Sequence, residues 1–191
     1  GLSQQIQKWV KHFGFEPEVD ASNNIFVRIP SNLTSGDKIL PTIALQAHID
    51  MVLNGNITAD QPVNVEIKEI DGNKVLISPT STLGADDGFG VALMLDIIES
   101  SNSIHHGPLE LIFTTDEEPM LIGARSILPP PFLKFNYLFN LDSLNGNKIF
   151  VGCCGGVGIE LKYELKYEPI SIDEYDLVRF NLKGLTGGHS G

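Results

Sequence analysis

Three short apolar runs constrain the fold of this chain more than any other feature: TIALQAH at Thr42–His48, LELIFTT at Leu109–Thr115 and YLFNL at Tyr137–Leu141. Apolar residues occupy both parities in each run, the pattern of strands buried on both faces rather than strands with one wet face. Between the first two lies GFGVALMLDIIES, which predicts a helix over Gly88–Glu99. Buried strands alternating with helices imply an α/β fold with a mixed, mostly parallel sheet flanked by helices.

The remaining punctuation fits around that frame. Leu2, Ile6, Trp9, Val10 and Phe13 recur at helical spacing, and Gly14 stops the pattern. Ile25–Ile29 predicts a short strand ended by Pro30. VNVEIKEIDGNKVLIS alternates on both sides of Asp71-Gly72, the signature of a hairpin. PPPF at Pro129–Phe132 predicts a rigid connection into the third apolar run. Beyond Gly155 the character changes, and LVRFNLKG places Val178, Phe180 and Leu182 on one face of an expected half-exposed strand. The expected organisation is a catalytic domain over residues 1–155 and the beginning of a second, smaller α+β domain over 156–191.

The acids fall at telling positions. His48 closes the first apolar run, with Asp50 two residues on. Asp116, Glu117 and Glu118 follow the second run, and Asp142 follows the third. Asp86 and Asp87 open the helix. Ligands of open parallel sheets bind outside the carboxyl ends of the strands, so one fold brings His48, Asp86, Glu117, Glu118 and Asp142 to one rim. Clustered carboxylates raise one another's pKa, and a divalent cation reverses that. Imidazole with carboxylates suits zinc, with manganese or cobalt as alternatives. On this reading Asp86 bridges two ions, and the helix N-terminus behind it favours its charge. Each piece also has an ordinary reading. His-x-Asp can be a hydrogen-bonded pair, Asp-Asp a helix cap, Glu-Glu a solvated loop, and Asp142-Ser143 a turn. His12, His105 and His106 receive no role.

Composition narrows the classes further. Net charge is −11, from 24 acids against 13 Lys and Arg, which argues against nucleic-acid binding through phosphates. No apolar run reaches the roughly 18 residues of a membrane helix, and the N-terminus does not read as a secretory leader. The two cysteines, Cys153 and Cys154, are adjacent and imply no disulfide framework, which fits a cytoplasmic location. Nucleotide binding at the rim is disfavoured, because no Gly-rich loop with Lys follows a strand.

Taken in order, AHIDMV, GADDGFGVA, TTDEEPMLIGA, NLDS, GCCGG and GLTGGHSG resemble the motifs of the two-zinc metallopeptidases that include carboxypeptidase G and acetylornithine deacetylase. Within that superfamily the chain is most similar to the aminoacyl-histidine (Xaa-His) dipeptidases, relatives of carnosinase. The resemblance implies hydrolysis of short peptides, above all Xaa-His dipeptides, with two zinc ions. It implies His48 and Asp142 on one ion, Glu118 on the other and Asp86 between them. It implies Glu117 as general base and Asp50 as acceptor of a hydrogen bond from the His48 ring. His189, in GGHSG, would stabilise the developing oxyanion across a homodimer formed through a lid domain. A cis peptide is implied at Asp86-Asp87.

The same resemblance implies a further zinc-ligating histidine beyond Gly191, so the chain is expected to be a piece of a longer enzyme that by itself binds the Glu118 metal poorly. Asp87 departs from the Asn usual in the most similar subfamily. The competing readings are an N-acyl amino acid deacetylase, a tripeptidase of the same superfamily, or an inactive metal-binding or dimerisation fragment.

Overall fold

A computed structural model describes residues 1–191 except 34–38, 55–56, 59–60, 129–132, 144–145, 154, 156–158, 170, 172, 174–175, 177 and 186–191. The chain divides into two compact units, Gly1–Leu144 with Gly188–Gly191, and Asn145–Gly187. In the first unit the elements run α1 (Leu2–His12), β1 (Glu18–Val19), β2 (Ile25–Ile29), β3 (Ile43–His48), β4 (Glu66–Ile70), β5 (Asn73–Ile77), α2 (Ala85–Ser100), β6 (Leu109–Thr114), α3 (Ile122–Ser126) and β7 (Tyr137–Asn140).

The three apolar runs become β3, β6 and β7. They lie in a five-stranded sheet ordered β1-β2-β6-β3-β7, with β6, β3 and β7 parallel, β2 antiparallel to β6 and β1 antiparallel to β2. His48 pairs with Thr114, and Gln46 pairs with Asn140. The register therefore ends the three parallel strands at one edge, and the residues just past them emerge side by side.

Alternation along each strand sends successive side chains to opposite faces. Ile25, Val27, Ile29, Ala47, Leu111 and Phe113 meet Ile6 and Val10 of α1 and Val91, Met94 and Ile98 of α2 on one face. Phe26, Ala44 and Ile112 face the other way, under Ile127, Leu133 and Phe135. Coverage on both faces is why β3 and β6 read as nearly continuous apolar runs; β7, expected to be buried like them, has all four residues exposed. Each fully buried Leu or Phe contributes roughly 1.5–3 kcal/mol of transfer free energy.

Local signals act as their chemistry requires. Gly14 takes φ +86°, the left-handed conformation that ends α1. Asp71 and Gly72 both have positive φ, the geometry of a two-residue hairpin joining β4 to β5. The Asp86-Asp87 peptide is cis. Both aspartates have non-helical dihedrals, so regular helix starts at Gly88.

Several features differ from expectation. Trp9 is 42% exposed and leans on Phe13, at 5.3 Å between ring centroids, instead of joining the core. The strand β1 and the short helix α3 carry no periodic signal, being two and five residues long. The strand expected at Val178–Leu182 does not form: Val178, Phe180 and Leu182 are exposed, and the described residues of 145–187 contain no helix or strand. A strand needs a neighbour for its backbone N–H and C=O groups, and no ladder reaches these residues. Pro129–Phe132 lie outside the described residues, as does His189.

Candidate metal centre

The edge where β3, β6 and β7 end gathers the acids that the sequence scatters. Ligand atoms of His48, Asp86 and Asp142 lie within 4.8 Å of one another, and so do those of His48, Glu117 and Glu118. His48 belongs to both groups and is 1% exposed, whereas its partners are half-buried.

Backbone geometry fixes the His48 ring. Its Nδ1 lies 2.9 Å from the Asp50 carbonyl oxygen. A carbonyl only accepts, so Nδ1 carries a proton, and Nε2 faces the cluster, 3.0 Å from Asp86 Oδ1. In a neutral ring that nitrogen is the one able to ligate a metal.

Asp50 meets the His48 ring through its main chain. Its carboxylate lies 3.5 Å from His48 Nδ1, farther than its own carbonyl. The carboxylate instead accepts two backbone N–H bonds, from Glu117 to Oδ1 at 3.0 Å and from Glu118 to Oδ2 at 3.2 Å. One residue thus orients the imidazole through its main chain and the glutamate pair through its side chain. The two functions separate because β3 leads Asp50 directly under the turn that follows β6.

The aspartate pair also divides its labour. Asp86 faces the cluster. Asp87 is 4% exposed and turns inward, accepting N–H bonds from Gly90 at 3.2 Å and from His48 at 3.3 Å. Asp87 thus caps the regular helix that starts at Gly88, and Asp86 belongs to a group that could hold a metal ion. Asp87 packs closely on the helix, since a Cβ on Gly90 would collide with Asp87 Oδ1 and lie 2.9 Å from Leu141 Cβ.

The electrostatics describe a site short of positive charge. Burial and then the Asp142 charge push Asp87 up to about 6. Burial, followed by the Asp86 charge, raises Asp142. Burial raises Glu117 as well, reinforced by Asp142, Glu118 and Asp50 and opposed by His48. Burial works against a charged His48, but the Asp86 hydrogen bond and the surrounding acids outweigh it and raise its pKa. A divalent cation relieves this stress by keeping the carboxylates ionised, and an imidazole–carboxylate donor set matches zinc, manganese or cobalt. The residues present fit such an ion.

The turn carrying the glutamates is conformationally demanding. Asp116, Met120 and Leu121 all have positive φ, at 49°, 77° and 60°. For side chains of this size that conformation costs on the order of 1 kcal/mol or more per residue and needs support from its surroundings. Part of that support is Gly123, packed so closely on Thr115 that a Cβ would collide with the Thr115 carbonyl oxygen. Gly123→Ala is therefore expected to destabilise the protein near the upper end of about 1–3 kcal/mol. Urea titration would show it as a lowered midpoint; an unchanged midpoint would mean the turn yields freely.

With this geometry in place, the comparisons with known proteins decide the lineage. The model of peptidase family M28 matches residues 24–156. The chain belongs to peptidase family M28. A cytosol non-specific dipeptidase of Escherichia coli (strain K12) is 36% identical over 192 residues, covering 100% of this chain and 38% of the relative. A peptidase T of an Exiguobacterium species is 30% identical over 61% of this chain and 35% of its own length. The crystal structure of aminoacylhistidine dipeptidase from Vibrio alginolyticus superposes with a TM-score of 0.62 at 36% identity, over 74% of this chain and 28% of that one. The resemblance read from the motifs to zinc peptidases of the aminoacyl-histidine dipeptidase type is upheld, as is the mixed α/β sheet. The M28 chain spans well under half the length of these relatives.

Sequence reasoning passed over Asn24, a fully buried side chain next to the turn. The available signal for Asn24 was the polar run DASNN standing directly before the apolar IFVRI.

Proposed function

We propose that the protein carrying this chain hydrolyses the peptide bond of short peptides, Xaa-His dipeptides foremost, with two divalent ions, zinc in the first instance. The observation that carries this reading is the convergence of the two His48-centred ligand groups at the ends of the parallel strands. His48 and Asp142 would hold one ion, Glu118 the other, and Asp86 would bridge them. Bound there, the ions would acidify a water molecule towards neutral pH and polarise the scissile carbonyl.

The chain's own residues do the rest. Glu117 accepts a proton from the attacking water and returns one to the leaving amine nitrogen. Asp50 keeps Glu117 and Glu118 in place through their amide groups and keeps the His48 ring turned with Nε2 towards the site. A cavity of about 580 Å³ opens beside His48 and Asp50 and is otherwise lined mainly by apolar residues such as Met51, Leu53 and Leu83. It is suited to an uncharged side chain of a small peptide. His189, in GGHSG, would stabilise the oxyanion from a partner subunit of a homodimer; the motif is what supports this. A lid or dimerisation domain over 156–191 and a cytoplasmic location belong to the same proposal, the latter supported by the cytosolic relative.

A tripeptidase reading deserves a place because a peptidase T is 30% identical. A panel of Xaa-His dipeptides, other dipeptides, tripeptides and N-acyl amino acids separates the readings. Hydrolysis of Xaa-His dipeptides is expected, lost on chelation and restored by zinc, manganese or cobalt. Preference for N-acyl amino acids, or activity indifferent to chelation, would overturn the proposal.

A further inference from the structure

The turn after β6 leaves the sheet at Thr115 and comes back against Thr115 at Gly123 of α3, carrying Glu117 and Glu118 on the excursion between. Within it, Leu121 N–H donates to the Glu117 carbonyl at 2.7 Å and Ile122 N–H to the Asp116 carbonyl at 2.8 Å. Three of its residues sit at positive φ. Asp50 holds the middle of the turn. The Ser126 hydroxyl donates to the Gly123 carbonyl at 2.6 Å, and one other side chain bonds both ends of the turn.

That side chain is Asn24, which is fully buried. Its Oδ1 accepts the Thr115 N–H at 2.9 Å and is within 3.3 Å of the Thr115 hydroxyl. Its Nδ2 donates to the Gly123 carbonyl at 2.9 Å. The amide thus closes the excursion at its base, joining entry to exit. Asp20 sets which way the amide faces: its Oδ2 accepts from Asn24 Nδ2 at 2.7 Å, so the oxygen must point at Thr115. Asp20 is itself fixed, its Oδ1 accepting the Ser22 and Asn24 N–H groups at 2.9 Å each. Thr115 adds a bond from its hydroxyl to the Ser22 carbonyl at 2.8 Å.

We infer that Asn24, oriented by Asp20, is a positioning residue for catalysis: it clamps the ends of the 115–123 turn and so sets where the Glu117 and Glu118 carboxylates stand. This rests on the proposed peptidase function and adds a residue to it. No aspartate, alanine or serine can replace the amide, because only Asn at this reach offers an acceptor to Thr115 N–H and a donor to the Gly123 carbonyl together. A catalytic group displaced by as little as 1 Å loses about 100-fold in rate, which is why a remote clamp matters to turnover.

The test uses the whole protein and three variants: Asn24→Ala, Asp20→Asn and Ile98→Ala. The last truncates the core at the opposite end of α2 and serves as a control for lost stability. Hydrogen exchange of the metal-free protein is read at the amides of residues 115–123. Asn24→Ala is expected to speed exchange there by about tenfold or more, with Ile98→Ala leaving the turn no faster than the rest of the molecule. In kinetics with metal restored, Asn24→Ala is expected to lower kcat by about 10- to 100-fold with KM within about twofold. Asp20→Asn, which faces one NH2 with another and turns the amide, is expected to lower kcat in the same way but less. It remains informative should the alanine variant not fold. Unchanged exchange in the turn, or a kcat that falls no further than in Ile98→Ala, would overturn the inference. A wild-type protein that hydrolyses no peptide would instead overturn the proposed function, and the exchange result would stand as the measure of the clamp.

Discussion

Glu117→Ala is expected to lower kcat for peptide hydrolysis by about 10²–10⁴-fold while leaving the metal content of the protein intact. The substitution removes only the carboxylate. The Glu117 N–H still donates to Asp50 and its carbonyl still accepts from Leu121, so the turn keeps its path. Loss of turnover with both ions present would assign the carboxylate to proton transfer. Glu117 is also one of the three residues whose ligand atoms cluster around His48 with Glu118. If it were a ligand rather than the base, the alanine variant would bind less metal, and elemental analysis separates the two cases. A variant that remains fast would remove Glu117 from the mechanism.

Asp86→Ala is expected to cost both ions, with affinity falling by at least about 100-fold, more than loss of an outer partner such as Asp50 would cause. Asp86 lies against His48 Nε2, and its charge is the largest one acting on Asp142. Removing a shared ligand takes a donor from each ion and leaves the other carboxylates to repel. Two ions retained at full occupancy would contradict the bridging role. One ion retained would place Asp86 on a single metal.

The legible part of the fold was the part governed by periodicity and burial. The runs that became β3 and β6 are apolar on both parities because helices cover one sheet face and Ile127, Leu133 and Phe135 cover the other, whereas the residues of β7, apolar in the same way, are exposed. Asp71-Gly72 announced its hairpin because its backbone conformation is one that few residue types accept. The gathering of acids was legible for the same reason: Glu117, Glu118 and Asp142 follow parallel strands that end together with His48, and Asp86 opens the helix beside them. What escaped notice was set by long-range contact. Asn24 in DASNN resembles any polar turn until β6 brings Thr115 and Gly123 against it, 91 and 99 residues away. Asp50 was read only as a partner of the nearby His48 ring, and nothing local announced that its carboxylate bonds amide groups 67 and 68 residues distant. Trp9 kept the spacing of the buried stripe but stayed exposed, since helical spacing places a side chain near a face without supplying something to cover it.

The central claim is that two ions share Asp86 at the ends of β3, β6 and β7. Anomalous scattering at the zinc edge, from crystals of the whole protein grown with zinc, tests it most directly. The account predicts two peaks. One should lie about 2.0–2.2 Å from His48 Nε2 and from oxygens of Asp86 and Asp142, and the other at that distance from the second Asp86 oxygen and from Glu118. Zinc bound away from His48, or two peaks with Asp86 touching neither, would contradict it.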